Sequence, residues 1–438
     1  MGTGRVTLAV AAAAAAVTVL AGGAVAPVAS AAPDNSFFTD SGQAPLSSSA
    51  PGTVLASRVL PYHLVGVATP LTAVQIRYRS TDAQGRPSAN VTSVLLPAGG
   101  VDPTRVVLYG SAYDSLNPEH SPSRAIAGNL GSLGGAIADS EGAVMGLFLA
   151  QGFTVIVPDT EGQSANFAAG PEYGMNTLDA IRAATTTAAT GLNPRSRVGL
   201  FGYSGGAIAT NWAAALAPEY APEVNAGLVG VAEGGVLVNP ARNLRYIDGS
   251  LGWAGVAAMA IIGIARSYDI DFTPYLNDYG AQIVARLSSA SITDVLFQYP
   301  GLTWAQMTKP EFANPNSVPP FVETVAKINL GQAPTPTVPM FIGQGANGIL
   351  EGTDGTEPGV GPGDGVMIAG DVRALARRYC DTGNGTITYR QYDALSHIPA
   401  LPAWSPEAVT WLLDRFAGKP APNNCASIAP GNSLAPEL

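Results

Sequence analysis

Residues 198–213 read Val198-Gly-Leu-Phe-Gly202-Tyr-Ser204-Gly-Gly206-Ala-Ile-Ala-Thr-Asn-Trp-Ala213. An apolar run typical of a β-strand leads into the pattern Gly202-x-Ser204-x-Gly206, and an alanine-rich run typical of a helix follows it. This strand-turn-helix setting is the one that a nucleophile elbow requires. The two glycines suit it because a sharp, strained turn leaves no room for β-carbons. We predict that Ser204 is a nucleophile; an ordinary glycine-rich turn is the alternative interpretation.

Beyond this junction, short apolar runs rich in β-branched residues alternate with longer alanine-rich stretches. The alternation predicts a mostly parallel central sheet flanked by helices. The predicted strands span residues 74–78, 90–96, 105–109, 153–158, 197–202, 226–232, 338–343 and 386–392. We expect the first two to form an antiparallel pair joined through residues 82–85. With the elbow, this pattern predicts the α/β-hydrolase fold.

A long segment between Ala232 and Val338 does not continue the strand-helix alternation, so we expect an inserted helical cap, or lid, there. Within it, residues 251–265 carry no charge but are short for a membrane span, which favours a helix that is buried or meets lipid when the cap opens. The predicted domains are a signal peptide at 1–31, a hydrolase core at 32–235 and 326–418, the cap at 236–325, and a tail at 419–438.

A histidine base for the serine is expected later in the chain. A serine hydroxyl is a poor nucleophile unless a base lies within hydrogen-bond reach, and in this fold the histidine follows the serine. His397 is the only histidine after Ser204, on a predicted loop before the final helix. We predict His397 as the base and give His63 and His120 no catalytic role.

The acid that orients the imidazole should lie between the strand at 338–343 and the next helix, expected near Ala369. The loop at 344–367 contains Asp354, Glu357 and Asp364. Asp364 is favoured because it immediately precedes that helix, and Asp354 is its rival. Either aspartate is also compatible with a solvated Asp-Gly turn.

Ester hydrolysis also needs N–H donors for the oxyanion of the tetrahedral intermediate. One should be the backbone N–H of Gly205, the residue after the nucleophile. The other should come from the loop at 110–115, which lacks the His-Gly-Gly-Gly pattern of many esterases. Its identity stays open on this reasoning alone.

The C-terminal region carries a clear helix signal and the two cysteines of the chain. Ser405 is a suitable N-cap for the last helix, with Pro406 in its first turn. The pair Cys380 and Cys425 suggests a disulfide in an exported chain. From Lys419 onward we expect a loose tail, tethered only through Cys425.

The N-terminus has the pattern of an export signal. Arg5 precedes an apolar run at 7–28, and Ala29-Ser30-Ala31 forms a small-residue cleavage pattern. We predict removal of residues 1–31 and a secreted, extracellular mature protein without an integral membrane span. A retained membrane anchor is the alternative.

Charge and metal-ligand composition narrow the possible partners. The chain has 32 acidic and 22 basic side chains and no basic run longer than Arg377-Arg378, so it offers no electrostatic basis for binding nucleic acid or an anionic membrane. Two cysteines and three scattered histidines match no zinc spacing. We expect no metal, no cofactor, and a neutral or apolar substrate.

Several stretches together carry a resemblance to one family. They are residues 113–115 (Tyr-Asp-Ser), 158–163 (Pro-Asp-Thr-Glu-Gly-Gln), 167–170, 173–175, 178–183, 202–207, 212–213 and 220–223 (Tyr-Ala-Pro-Glu). With them the chain resembles the secretory lipase family of the lipase A type, within the α/β-hydrolase superfamily. The resemblance implies that the second oxyanion donor is the backbone N–H of Asp114. It further implies a helical cap with an acyl-chain tunnel after residues 234–235, and an acid motif matched better by residues 364–366 than by Asp354.

The favoured prediction is a secreted triacylglycerol lipase that acts through a Ser204-His397-Asp364 triad and an acyl-enzyme. Its partners are a lipid or other ester substrate and a lipid interface contacted transiently through the cap. A carboxylesterase, acyltransferase or polyesterase with the same triad is the first alternative, because fold and triad do not fix the substrate. A catalytically silent α/β-hydrolase used for binding is a more remote one.

Overall fold

A nine-stranded sheet forms the centre of the molecule. The computed structural model describes residues 35–39, 45–129, 137 and 140–436, so the predicted signal peptide lies outside the described residues. The strands are β1 (Val54–Leu64), β2 (Val67–Thr81), β3 (Pro87–Leu96), β4 (Val106–Gly110), β5 (Thr154–Pro158), β6 (Val198–Tyr203), β7 (Leu228–Gly234), β8 (Met340–Gly345) and β9 (Ile387–Tyr392). Their order in the sheet is β1-β2-β3-β5-β4-β6-β7-β8-β9; β1, β2, β3 and β5 pair antiparallel, and the remaining neighbours pair parallel.

Helices cover both faces of this sheet. The α-helices of the described residues are α1 (Pro122–Ile126), α2 (Gly142–Ala150), α3 (Gly170–Thr186), α4 (Gly205–Tyr220), α5 (Pro222–Asn225), α6 (Pro240–Ile247), α7 (Ala254–Ser267), α8 (Asp278–Leu287), α9 (Ile292–Val295), α10 (Trp304–Met307), α11 (Pro319–Lys327), α12 (Ala369–Asp381) and α13 (His397–Phe416). Helices α3, α4 and α12 contribute to one apolar cluster with the sheet, and α2 and α13 to another. The predicted α/β-hydrolase fold is confirmed.

Every predicted strand is present, including the antiparallel pair β2 and β3, but β1 was missed. β1 lies at the edge of the sheet and its residues are mostly half-buried or exposed. It also contains Pro61, which an edge strand tolerates because one side of its backbone has no ladder to complete. An edge strand of this kind has no long apolar run for sequence analysis to detect.

The segment between β7 and β8 is helical, with α6 to α11 packed around their own apolar cluster. The charge-free segment forms α7, as expected; its first two turns are buried, and Ile261 and Ile262 are half-buried. No helix within the described ranges is long and apolar enough to cross a bilayer. The exact bounds of the cap, 236–325, stay a prediction.

The last helix begins earlier than predicted. α13 starts at His397, so Ser405 and Pro406 lie inside it and the assignment of Ser405 as N-cap was wrong. Ser405 Oγ instead donates to the Leu401 carbonyl one turn back, at 2.8 Å. The local capping signal was overridden because residues such as Trp404 are fully buried against the sheet, and tertiary packing supplies most helical stability.

The C-terminal tail is anchored at several points rather than loose. The predicted disulfide between Cys380 and Cys425 is present, and closing a loop of that length stabilises by about 4 kcal/mol in the chain-entropy model. Beyond it, Ile428 is buried, and Asn432 Nδ2 donates to Asp371 Oδ1 at 2.7 Å. The expectation of a loose tail was wrong because these contacts join residues distant in the chain and leave no local pattern.

An acid is buried in the core next to the elbow. Glu233, near the end of β7, accepts a hydrogen bond from Asn211 Nδ2 at 2.6 Å, and the Tyr379 hydroxyl donates to Asn211 Oδ1 at 2.7 Å. Burial raises the pKa of Glu233 to about 8. The folded protein therefore keeps this proton at neutral pH, where the unfolded chain releases it.

Glu233→Gln is expected to stabilise the fold increasingly as the pH rises from 5 to 8. The wild-type chain loses this proton near pH 4.5 when unfolded but near pH 8 when folded, so its free energy of unfolding falls by up to about 1.4 kcal/mol per pH unit between those values. Gln has the same shape, can still accept from Asn211 and does not titrate. Urea unfolding of both proteins at pH 5 and pH 8 measures the effect, and an equal difference at both pH values contradicts it.

Candidate active site

Ser204 occupies the turn between β6 and α4. Its φ is +55°, a left-handed conformation that is strained for a residue with a β-carbon. A β-carbon at Gly202 would collide with the Gly206 carbonyl, and one at Gly206 would collide with the Gly110 carbonyl. Close backbone approach therefore leaves no room for a side chain at either glycine of the pattern.

The structure brings Ser204, His397 and Asp364 together. His397 Nε2 lies 2.8 Å from Ser204 Oγ, and His397 Nδ1 lies 2.8 Å from Asp364 Oδ2. The three residues lie in the segments that follow the carboxyl ends of β6, β8 and β9, with His397 as the first residue of α13. Both distances are within hydrogen-bond range, so the imidazole has one nitrogen for the hydroxyl and one for the carboxylate.

The hydrogen bonds to the Asp364 carboxylate hold it in place beside the imidazole. Oδ1 accepts from the backbone N–H groups of Val366 and Met367, at 3.1 and 2.7 Å, and Oδ2 accepts from Gln344 Nε2 at 2.9 Å as well as facing His397. The rival, Asp354, is exposed and accepts only locally, from Thr356. The geometry thus favours Asp364 over Asp354.

Both the backbone and the ring of His397 are held by neighbouring residues. The backbone N–H of His397 donates to the Asp364 carbonyl and the His397 carbonyl accepts from the Tyr203 hydroxyl, both at 2.7 Å. The imidazole ring packs against the rings of Tyr203 and Trp253, whose centroids lie 5.1 and 5.4 Å from its own. Burial of the imidazole opposes its charged form, but the Asp364 carboxylate outweighs this and, with Glu351 and Asp114, raises the pKa of His397.

The two expected oxyanion donors are adjacent. A β-carbon at Gly205 would collide with Asp114 Oδ1, which places the two residues side by side across the elbow. Asp114 has a positive φ of +33°, the second strained non-glycine residue at this site. As the first residue of α4, Gly205 has an N–H without an intrahelical acceptor. Burial raises the pKa of the Asp114 carboxyl to about 7.

Two acids that the sequence analysis did not single out support this loop: Glu161, which is buried, and Glu141, which is half-buried. The Ser115 N–H donates to both oxygens of Glu161, at 3.0 and 3.2 Å, and the Ala112 N–H donates to Glu141 Oε1 at 2.9 Å. Glu161 lies in the stretch 158–163 that resembles the family, but no local pattern in the sequence indicates that it accepts from the Ser115 N–H. Within the described ranges, no three His, Cys, Asp or Glu side chains converge as a metal site would require.

The sequence profile described as Secretory lipase matches residues 132–424 of this chain. The chain belongs to the secretory lipase family. As a member of this family, it is a hydrolase of the lipase and esterase kind. It is similar to Lipase 5 of Candida albicans, with 29% identity over 395 residues that cover 86% of this chain and 80% of the relative.

Three further comparisons concern this member of the family. A probable inactive lipase of Mycobacterium tuberculosis is 31% identical over 378 residues, which cover 84% of this chain and 79% of that protein. The closed state of Candida antarctica lipase A superposes with a TM-score of 0.76 at 25% identity, covering 92% of this chain and 88% of that one. The rice cell wall degrading esterase LipA of Xanthomonas oryzae shares the fold, with a TM-score of 0.62, 17% identity, and coverage of 84% and 100%.

Proposed function

We propose that this protein is a secreted serine hydrolase that cleaves carboxylic esters, and specifically a triacylglycerol lipase. The observation that carries the proposal is the unbroken chain of two 2.8 Å hydrogen bonds from Ser204 through His397 to Asp364. The family assignment supports ester hydrolysis and, with the export pattern at 1–31, secretion.

The positions of these side chains support the following reaction. Ser204 Oγ attacks the ester carbonyl while His397 Nε2 takes its proton, and Asp364 stabilises the imidazolium. The backbone N–H groups of Asp114 and Gly205 bind the oxyanion, each worth about 10²- to 10³-fold in rate. His397 then protonates the departing alcohol. Water cleaves the acyl-enzyme by the same steps, and no cofactor takes part.

An apolar cavity in the cap is our candidate for the acyl chain. α7 starts next to Trp253, which contacts the imidazole, and lines the cavity with Ala258, Ile261 and Ile262, one to three turns further on. At a rise of about 1.5 Å per residue, Ala258 lies roughly 8 Å along the helix from Trp253, and we propose that an acyl chain attached to Ser204 extends into this cavity. Its walls also include Phe272, Leu276, Trp304 and Met307.

An exposed apolar patch surrounds the residues beside the base. Ile398 follows His397, and its N–H donates to Glu351, the neighbour of Leu350. The Gly252 N–H donates to the Glu351 carbonyl, and the Phe297 N–H donates in turn to the Gly252 carbonyl. These links join the segments that carry six exposed apolar side chains, named here the mouth patch: Leu251, Phe297, Ile349, Leu350, Ile398 and Leu401. We propose that it contacts aggregated ester substrate, because apolar patches at a site opening mark interaction surfaces.

Leu350→Asp is expected to lower the rate on an emulsified long-chain triacylglycerol at least tenfold and leave the rate on a soluble short-chain ester within twofold. Leu350 is 77% exposed, so the charge costs little in the folded protein but must be desolvated at a lipid surface. Rates above and below the concentration at which the substrate forms an interface measure the effect.

Val59→Asp is the matched control. Val59 is 62% exposed on the edge strand β1, five strand positions from β6, which is roughly 24 Å at the usual strand spacing. Its rate on the emulsion should stay near that of the wild type. Equal losses in both variants, or a Leu350→Asp loss on the soluble ester as well, would show that the mouth patch does not contact lipid.

The relative named a probable inactive lipase makes a silent binding protein the second candidate to test. The complete Ser204-His397-Asp364 arrangement favours the enzyme, because a protein that only binds has no need of a strained serine beside an ordered imidazole. A fluorophosphonate probe distinguishes the two. We expect stoichiometric labelling, mapped by mass spectrometry to the peptide containing Ser204. A folded protein that takes up no probe and hydrolyses neither short nor long esters would support the silent candidate.

A further inference from the structure

Glu351 is a second buried carboxylate close to the base. It ends a short 3₁₀ turn, Ile349–Glu351, in the loop between β8 and α12, and only 3% of its surface is exposed. Within the described part of the chain it forms no ion pair, and both of its carboxylate oxygens accept hydrogen bonds. The donors come from two separate parts of the fold.

One oxygen holds the helix that carries the base. Glu351 Oε1 accepts from the Ile398 N–H at 3.0 Å. α13 begins at His397, so this N–H belongs to its first turn and has no acceptor within the helix. A carboxylate at a helix N-terminus both satisfies such a donor and interacts favourably with the helix dipole. The contact fixes the backbone immediately after His397.

The other oxygen holds the cap. Glu351 Oε2 accepts from Trp253 Nε1 at 2.8 Å, and the Glu351 carbonyl accepts from the Gly252 N–H at 3.1 Å. Trp253 immediately precedes α7, and its ring meets the His397 ring edge-on, at 5.4 Å and 84°. One wall of the imidazole is therefore a cap residue whose orientation depends on Glu351.

We propose that Glu351 is a positioning residue that couples the cap to the catalytic base. It holds both the N-terminus of α13 and the Trp253 ring in place. The imidazole can therefore reach Ser204 only when the N-terminal end of α7 is in this position. Its negative charge also favours the imidazolium that forms during the reaction. This inference rests on the proposed hydrolase for its kinetic part, but its structural part does not.

The charged and titratable groups that face the imidazole determine how removal of the Glu351 charge should change the pKa of His397. Asp364 faces it from the loop after β8, Asp114 from the oxyanion loop, and Glu351 from the turn beside α13; all three raise the pKa of His397. Tyr203, from the end of β6, contacts the ring and donates to the His397 carbonyl. Removing the Glu351 charge while keeping its shape should therefore lower the imidazole pKa.

The test compares Glu351→Gln with Glu357→Gln, an exposed acid of the same loop. We expect Glu351→Gln to lower the pKa of the His397 imidazole, followed by NMR, by about half a unit, the effect of one partly screened charge beyond the contact distance. The acidic limb of the kcat/KM profile should move by the same amount, with kcat about tenfold lower. Glu357→Gln should change neither quantity.

Trp253→Phe tests the same coupling independently, and it still tests the proposal if Glu351→Gln fails to fold. It keeps an aromatic ring beside the imidazole but removes the donor to Glu351, so we expect kcat to fall several-fold while the imidazole pKa stays unchanged. The proposal is overturned if Glu351→Gln leaves both the imidazole pKa and kcat unchanged, or if Trp253→Phe has the rate of the wild type. If the wild type hydrolyses no ester, the NMR shift still reports on Glu351, and the proposed function alone fails.

Discussion

Ser204→Ala is expected to lower kcat for a soluble ester by about 10⁶-fold, as removal of the nucleophile does in other serine hydrolases. Among the residues that the structure describes, the Ser204 hydroxyl is the group that His397 Nε2 contacts and that can form the acyl-enzyme. The Asp114 and Gly205 N–H groups stay in place, so a residual activity over the uncatalysed reaction remains. Initial rates with a chromogenic short-chain ester measure the loss, and fluorophosphonate labelling should disappear with it.

Ser164→Ala is the control for that variant. Ser164 lies in Gly162-Gln163-Ser164, an exposed near match to the elbow pattern that lacks its second glycine. We expect activity and labelling within twofold of the wild type. Thermal unfolding should show that Ser204→Ala remains folded, because the substitution removes only a hydroxyl group from a half-exposed side chain. Probe uptake that survives in Ser204→Ala would place the nucleophile elsewhere and end the proposal.

Much of the fold was predictable because its signals are local. Neighbouring residues alone indicate the elbow pattern at 202–206 and the apolar runs that form the strands. The disulfide between Cys380 and Cys425 could be predicted because the chain has just two cysteines. β1 and the start of α13 were not predictable, because partners elsewhere decide them. β1 is defined by pairing with β2, and α13 begins at His397 where Glu351, a residue distant in the chain, accepts its first-turn N–H.

The site divides in the same way. Chain order and elimination are enough to select Ser204 and His397, but Asp354 and Asp364 share one loop and are both followed by glycine. Only the folded loop distinguishes them, because one carboxylate is enclosed by donors and the other faces solvent. Glu351 has no motif at all, since its role is defined by two hydrogen bonds to remote segments. An acid in a long loop that follows a catalytic strand is the signal that would have made it a candidate.

Asp364→Asn is expected to lower kcat by about 10⁴-fold, the loss that follows when an imidazole is held in the wrong tautomer. Two backbone N–H groups, of Val366 and Met367, point at Oδ1, so the amide oxygen must occupy that position. The amide NH₂ then faces His397 Nδ1, which has to accept rather than donate. His397 Nε2 consequently carries the proton and cannot take one from Ser204.

The same substitution also creates a clash of donors that Asp354→Asn does not. In Asp364→Asn the new NH₂ also faces Gln344 Nε2, which loses the acceptor that it had in Oδ2 at 2.9 Å. A buried N–H left without its acceptor costs about 1 to 3 kcal/mol. We therefore expect a lower urea midpoint together with the lost activity. Asp354→Asn changes one exposed turn and should leave kcat within twofold. The reverse pattern, with activity lost only in Asp354→Asn, would mean that the loop rearranges in solution and that Asp354 orients the imidazole.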